Sequence, residues 1–242
     1  MTSLAIANCT VAFGGLRAID DLTLTIPGGT ITALIGPNGS GKSTFCNMVS
    51  GQIPPVSGSV LLDGASVTGL RTDQIVAAGL ARTYQVPRVP KELTIGEVIG
   101  VPLRYGRSSR DLPRAMTTVA DLAGFCGLAP PLDTTCAELS ISDLRRLEIA
   151  RALACKPRVL LLDEAMAGLG LEDTEQVISL VREVHAAGIT IVVIEHVMRI
   201  IASLCQHAIV LNNGQLLSQG APAVVLRDPV VREAYLGKGF AP

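Results

Sequence analysis

The sequence predicts an α/β fold built on a parallel sheet, and three observations carry that expectation. The apolar run Ile31-Thr32-Ala33-Leu34-Ile35 leads directly into the glycine-rich segment Gly36-Pro37-Asn38-Gly39-Ser40-Gly41-Lys42-Ser43-Thr44. Two more apolar runs, 159–162 and 189–194, enclose a helical stretch over 174–185. Strand, helix, strand in that order implies right-handed crossovers and parallel pairing. The third observation is composition. With 48% hydrophobic and 17% charged residues, the 242-residue chain holds enough apolar material for one large α/β domain, or a core with an inserted subdomain.

Residues 4–35 group apolar side chains around turns at Phe13-Gly14-Gly15 and Pro27-Gly28-Gly29, the pattern of short strands. The last of these strands enters the glycine-rich segment. A helix over 43–49 follows, stopped by Gly51 and Pro54-Pro55. Residues 59–62 read as another strand, closed by the turn Asp63-Gly64. Over 87–140 the character changes: Pro87, Pro90, Pro102, Pro113, Pro130 and Pro131 punctuate helical stretches such as 114–126. This segment reads as a helical insertion between two halves of a sheet. A helix over 144–153 ends near Lys156-Pro157, and the final strand-helix-strand unit follows.

The formal net charge of -1, without a Lys/Arg-rich run, argues against nucleic acid as a partner. Six cysteines lack CxxC pairing and partner-histidine spacing, so reduced thiols in a cytosolic protein are expected rather than a metal site. The first residues lack the basic-then-apolar order of a signal peptide. No apolar run approaches the roughly 20 residues of a membrane span, so any membrane contact is expected through a partner.

The glycine-rich segment matches G-x-x-x-x-G-K-[ST], with a strand before it and a helix after it. Gly36, Gly39 and Gly41 let backbone amides close around phosphates without Cβ clashes, at a helix N-terminus whose dipole favours anions. Lys42 is expected to reach the β- and γ-phosphates of a nucleoside triphosphate, and the Ser43 hydroxyl to sit on Mg²⁺. Val159-Leu160-Leu161-Leu162-Asp163-Glu164 supplies the second half of the site. Two carboxylates emerge at the C-terminal end of a buried strand, where open α/β sheets bind ligands. Asp163 is expected to hold Mg²⁺, directly or through water, and Glu164 to orient or deprotonate the attacking water.

These motifs, in this order and over essentially the whole chain, resemble the ATPase subunit of an ABC transporter. The resemblance implies a P-loop NTPase fold: a RecA-like core, an N-terminal antiparallel β subdomain and an inserted helical subdomain. It divides the chain into a nucleotide-binding core with its β subdomain (1–86 and 151–242) and a helical subdomain (87–150). It also implies ATP and Mg²⁺ as ligands. Phe13 falls where the family stacks an aromatic on adenine. Gln85, in Ala81-Arg82-Thr83-Tyr84-Gln85, matches the glutamine that reaches Mg²⁺ and the attacking water. His196, in Ile194-Glu195-His196, matches the histidine that contacts the γ-phosphate. Ser140 heads the signature segment, which caps the γ-phosphate held by a partner subunit. The implied partners are membrane permease subunits, a second ATPase subunit, identical or not, and indirectly a periplasmic solute-binding protein. The implied location is the cytoplasmic face of the inner membrane.

Three segments depart from the family. Ile141 and Ser142 replace the two glycines usual after the signature serine. Ala165 stands where proline commonly follows the carboxylate pair, and Gly168-Leu169-Gly170 lacks the usual acidic or amide residue. All concern the face toward the second subunit or its geometry. Phe13-Gly14-Gly15-Leu16-Arg17-Ala18, Arg145-Arg146-Leu147-Glu148-Ile149-Ala150-Arg151, Ile194-Glu195-His196 and Ala234-Tyr235-Leu236-Gly237 resemble the ATPases of branched-chain amino-acid importers and their amide or urea relatives. Lipid or lipopolysaccharide exporter ATPases share part of this pattern. A soluble ABC ATPase and a small-molecule kinase are the other readings of the same loop. The signature helix and His196 count against the kinase.

Overall fold

The computed structural model describes residues 3–106 and 116–236. In chain order the elements are β1 Leu4–Phe13, β2 Leu16–Ile26, β3 Ile31–Ile35, α1 Lys42–Val49, β4 Ser57–Leu62, β5 Ala65–Ser66, α2 Thr72–Ala78, β6 Leu80–Arg82, α3 Ile95–Tyr105 and α4 Val119–Phe125. They continue with α5 Ile141–Ala154, β7 Val159–Asp163, α6 Leu171–Ala186, β8 Thr190–Ile194, α7 Met198–Leu204, β9 His207–Asn212, β10 Gln215–Gly220, α8 Pro222–Val225 and α9 Pro229–Leu236. The chain divides into two compact units, Met1–Ile75 with Thr190–Pro242, and Val76–Ile189.

The first unit holds an antiparallel sheet in the order β2-β1-β4-β5. β1 alternates buried Leu4, Ile6, Cys9 and Val11 with more exposed neighbours, because one face packs and the other is wet. Its second set of strands runs β10-β9-β3-β8, with β3 parallel to β8 and β9, and β10 closing antiparallel on β9. β3 and β8 are buried at every position, as strands covered on both faces must be. At about 25 cal/mol per Å² of apolar area, each such strand contributes several kcal/mol to stability.

In the second unit β6 pairs in parallel with β7, with Arg82 opposite Leu161. Helices α3, α4 and α5 pack together beside them. Capping sets the helix starts. Thr94 and Thr118 form reciprocal boxes with Glu97 and Asp121, and α4 starts at Val119; the expected start at residue 114 lies outside the described residues. Ser140 accepts from the Asp143 amide, so α5 starts at Ile141 and adds a turn ahead of the expected 144. Gly170 likewise moves the start of α6 to Leu171. The region 4–26 forms two long strands rather than several short ones, because register shifts in β1 absorb the irregular positions without ending the pairing. All six cysteines are free thiols, and no helix of the described residues is long and apolar enough to cross a membrane. Burial pushes the thiols of Cys126 and Cys205 up to about 12.

Candidate nucleotide site

In the first unit, β3 delivers its chain into a loop that only glycine can form at two points. A Cβ on Gly36, at φ 154°, would lie 2.2 Å from the Leu211 carbonyl oxygen and 2.5 Å from Ser40 Oγ. One on Gly41, at φ 104°, would lie 2.6 Å from the Ala18 carbonyl oxygen. The loop is held from outside as well: the Gly214 amide donates to Ser40 O (3.0 Å), and the Asp20 amide to Gly214 O (3.0 Å). The hairpin between β9 and β10 therefore braces the loop against β2.

Gly41 caps α1 without a side-chain hydrogen bond, and the first turn carries no acidic residue. Its amides and the helix dipole are thus arranged for an anion. Lys42 Nζ donates to Gly36 O (2.7 Å) and Pro37 O (3.0 Å), so the ammonium lies folded over the loop. Asn38, Gly39 and Ser43 are exposed, Thr44 is half-buried, and Ser40 is buried. Phe13 closes β1 at the hairpin facing Leu16 and is 50% exposed, so it is a surface ring and not a core aromatic. His196 is exposed in the segment between β8 and α7, and follows the buried Glu195.

In the second unit, β7 ends in Asp163 and Glu164. Asp163 is buried, its amide donates to Thr83 Oγ1 (3.2 Å), and its Oδ2 pairs with Arg82 Nη2 at 2.8 Å. Glu164 adopts φ 47°, a left-handed conformation that non-glycine residues take rarely and at a cost of about 1 kcal/mol or more. That turn directs its carboxylate to Gln85, whose Nε2 donates to Oε2 at 2.9 Å. Gln85 and Glu164 are thus brought together from positions 79 apart in sequence.

The signature segment belongs to this unit too. Ser140 Oγ donates to Asp143 Oδ2 (2.5 Å) while accepting from the Asp143 amide (3.1 Å). Ile141 is 61% exposed, and Ser142 Oγ donates to Asp173 Oδ1 of α6 (2.7 Å). These residues line a cleft with Arg146 and Gly168-Leu169-Gly170.

Sequence reasoning passed over Arg82, Thr83, Arg145 and Glu148. Arg145 Nη1 donates to Tyr84 O (3.1 Å), and the buried Glu148 accepts from the Arg88 amide (3.0 Å). Burial raises the Glu148 carboxyl above its ordinary value, opposed by the Arg88 amide and the Arg151 charge. The available signal was a run of charged residues at helical spacing in α5; four-residue periodicity places some of them inward.

A family model described as "ABC transporter" matches residues 19–167, and one described as "Branched-chain amino acid ATP-binding cassette transporter" matches 215–241. The chain belongs to the ABC transporter family. It is 32% identical to the high-affinity branched-chain amino acid transport ATP-binding protein BraF of Pseudomonas aeruginosa, over 97% of this chain and 98% of that protein. It is 34% identical to LivG of Escherichia coli K12, a protein of the same description, over 97% and 98%. A solved nucleotide-free ATP-binding cassette from an ABC transporter superposes with a TM-score of 0.86 at 29% identity, covering 98% of this chain and all of that one. A cassette in its ADP conformation follows at 0.84 and 30%, with the same coverage. This ABC chain is accordingly an ATPase, with the P-loop α/β fold expected from its motifs.

The residues suit the ligands of that family. A glycine loop on an uncapped helix N-terminus fits a polyphosphate. The Ser43 hydroxyl in the first unit, and separately the Gln85 amide and Asp163 carboxylate in the second, each offer an oxygen of the hard kind that Mg²⁺ takes.

Proposed function

We propose that this chain energises the uptake of branched-chain amino acids by binding and hydrolysing ATP beneath a pair of membrane permeases. The match over 215–241 supports the substrate class, because that segment lies outside the ATPase motifs and the family model it matches is described as a branched-chain amino acid ATP-binding cassette transporter. Phe13 stacks on the base, and residues Gly36, Pro37, Asn38, Gly39, Ser40, Gly41, Lys42, Ser43 and Thr44 hold the phosphates. Ser43, Gln85 and Asp163 hold Mg²⁺, which when bound neutralises phosphate charge. Glu164, steered by its left-handed backbone and by Gln85, aligns and deprotonates the attacking water, and His196 contacts the γ-phosphate. The chain sits as a peripheral subunit on the cytoplasmic face of the inner membrane, and a periplasmic binding protein delivers the solute.

Val86, Val101 and Tyr105 expose apolar side chains along 86–105, where a permease helix would dock. The second ATPase subunit is a different chain. Ser140 is already engaged by Asp143, and Ile141 projects where the family has glycine, so this signature serves its neighbour's ATP poorly. The cassette's own nucleotide residues are intact. Reconstitution with branched-chain amino-acid permeases and a solute-binding protein tests the reading: ATP-dependent leucine uptake into vesicles, lost with Glu164→Gln, is expected. ATPase stimulated by some other solute and not by leucine, isoleucine or valine would overturn the substrate class.

A further inference from the structure

The carboxylate assigned to the metal is held by a side chain of its own unit. Arg82 ends β6, and its Nη2 lies 2.8 Å from Asp163 Oδ2, with both side chains under a tenth exposed. The same guanidinium lies over the Tyr84 ring, 4.9 Å from its centroid, and Arg88 approaches that ring at 4.7 Å. The main chain around it is clamped. The Thr83 amide donates to Leu161 O (2.9 Å), Arg145 Nη1 to Tyr84 O (3.1 Å), and Arg151 Nη1 to Arg88 O (2.5 Å). Arg82 is therefore fixed at Asp163 by its strand, by its ring contact and by the α5 arginines that pin the following segment.

We propose that Arg82 is the counter-ion of Asp163 and competes with a divalent cation for that carboxylate; this rests on the metal role proposed above for Asp163. A buried carboxylate is costly unless a positive group compensates it. Arg82 does so without metal. A divalent cation at the same oxygens, or one water away, meets the guanidinium charge in a site where screening is weak. Arg82 thus sets how much metal the site requires. Nucleotide alone leaves the pair intact; metal with nucleotide breaks it. The displaced guanidinium stays on Tyr84, directly before Gln85, so the exchange reaches the segment that carries the water-orienting amide.

The test uses the full chain with a non-hydrolysable ATP analogue and Mn²⁺, whose free concentration is read by electron paramagnetic resonance. Arg82→Gln removes the charge and should tighten Mn²⁺ on the order of tenfold, the scale on which a neighbouring charge moves a carboxylate's proton affinity. Unchanged or weaker Mn²⁺ binding in Arg82→Gln overturns the competition. Asp163→Asn separates the two readings. If it leaves Mn²⁺ affinity unchanged, the metal role of Asp163 fails and the proposal with it. If it weakens Mn²⁺ while Arg82→Gln does not strengthen it, the competition alone fails. Should Arg82→Gln not fold, the wild-type chain decides by ¹⁵Nη resonance, assigned with Arg82→Lys. The restrained Arg82 signal should persist with the analogue alone and average out when Mg²⁺ joins it. A signal that stays restrained with both refutes the exchange.

Discussion

Glu164 is the residue where backbone and chemistry meet. Its φ of 47° places strain at the end of β7, and the return is a carboxylate turned onto Gln85. Glu164→Gln should lower ATP turnover about 10²–10⁴-fold, the range for a lost general base, while ATP affinity measured by equilibrium binding stays near wild type. Turnover at the wild-type rate would remove Glu164 from the role of water activation. Phe13 allows a second measurement because the chain has no tryptophan. Phe13→Trp gives a single indole on the exposed hairpin, and its fluorescence should be quenched on adding ATP. Phe13→Ala should weaken ATP by about tenfold at most, since one aromatic stack is worth about 0.5–1.5 kcal/mol. No change in affinity would return Phe13 to an ordinary surface ring.

Among the elements, α3 and α4 carry a dependence on pH at their first turns. Hydrogen bonds from the Thr94 amide and hydroxyl lower the Glu97 carboxyl from 4.5, and the Thr118 and Thr117 hydroxyls with the Thr118 amide lower Asp121 from 3.8. A carboxyl whose folded value is depressed stabilises the fold fully above its ordinary value, and that contribution disappears as pH falls through the folded one. Amide exchange over the first turns of α3 and α4 should therefore accelerate relative to other helices below about pH 4; Glu97→Gln should abolish the effect in α3, and Thr94→Ala, which leaves the residue-94 amide donating, should only reduce it. Both groups are exposed, so the effect is local. A protection ratio between these turns and the rest that stays flat with pH would dismiss the capping boxes as a source of stability.

At the scale of the whole molecule, the prediction concerns two subunits. In the proposed assembly the loop, Asp163 and Glu164 would serve this chain's own ATP, whereas Ser140 and Ile141 would face the neighbour's. In the assembled transporter Glu164→Gln should abolish most hydrolysis and Ser140→Ala should change it little, because the Ser140 hydroxyl is already held by Asp143. Equal losses, read as steady-state phosphate release, would end the idea of unequal sites. Replacing Ile141 and Ser142 by glycine together is the reverse experiment. It removes the exposed branched side chain and the Ser142–Asp173 bond, and should raise turnover if crowding limits this signature.

What the sequence by itself determined were the features set by neighbours along the chain. The glycine loop was legible from its own residues, with a strand before it and a helix after it, although the carbonyls of Leu211 and Ala18 that crowd Gly36 and Gly41 come from elsewhere in the chain. The buried strands were legible from unbroken apolar runs, and the family from the order of the motifs. Helix starts were read late at 144 and 174, since Ser140 and Gly170 act as caps ahead of the first apolar-periodic residues. Only the tertiary structure decided which polar groups hold one another. Arg82 and Asp163 are 81 residues apart, and nothing local marks them as a pair. Their meeting follows from β6 lying beside β7 in parallel register, which brings two strand ends, and the charges they carry, to one edge. Separations of 79 residues hid the Gln85–Glu164 bond, and of 60 to 63 the grip of α5 on residues 84–88. A charge buried by folding must find a partner wherever the fold brings one, and that choice belongs to topology rather than to any local pattern.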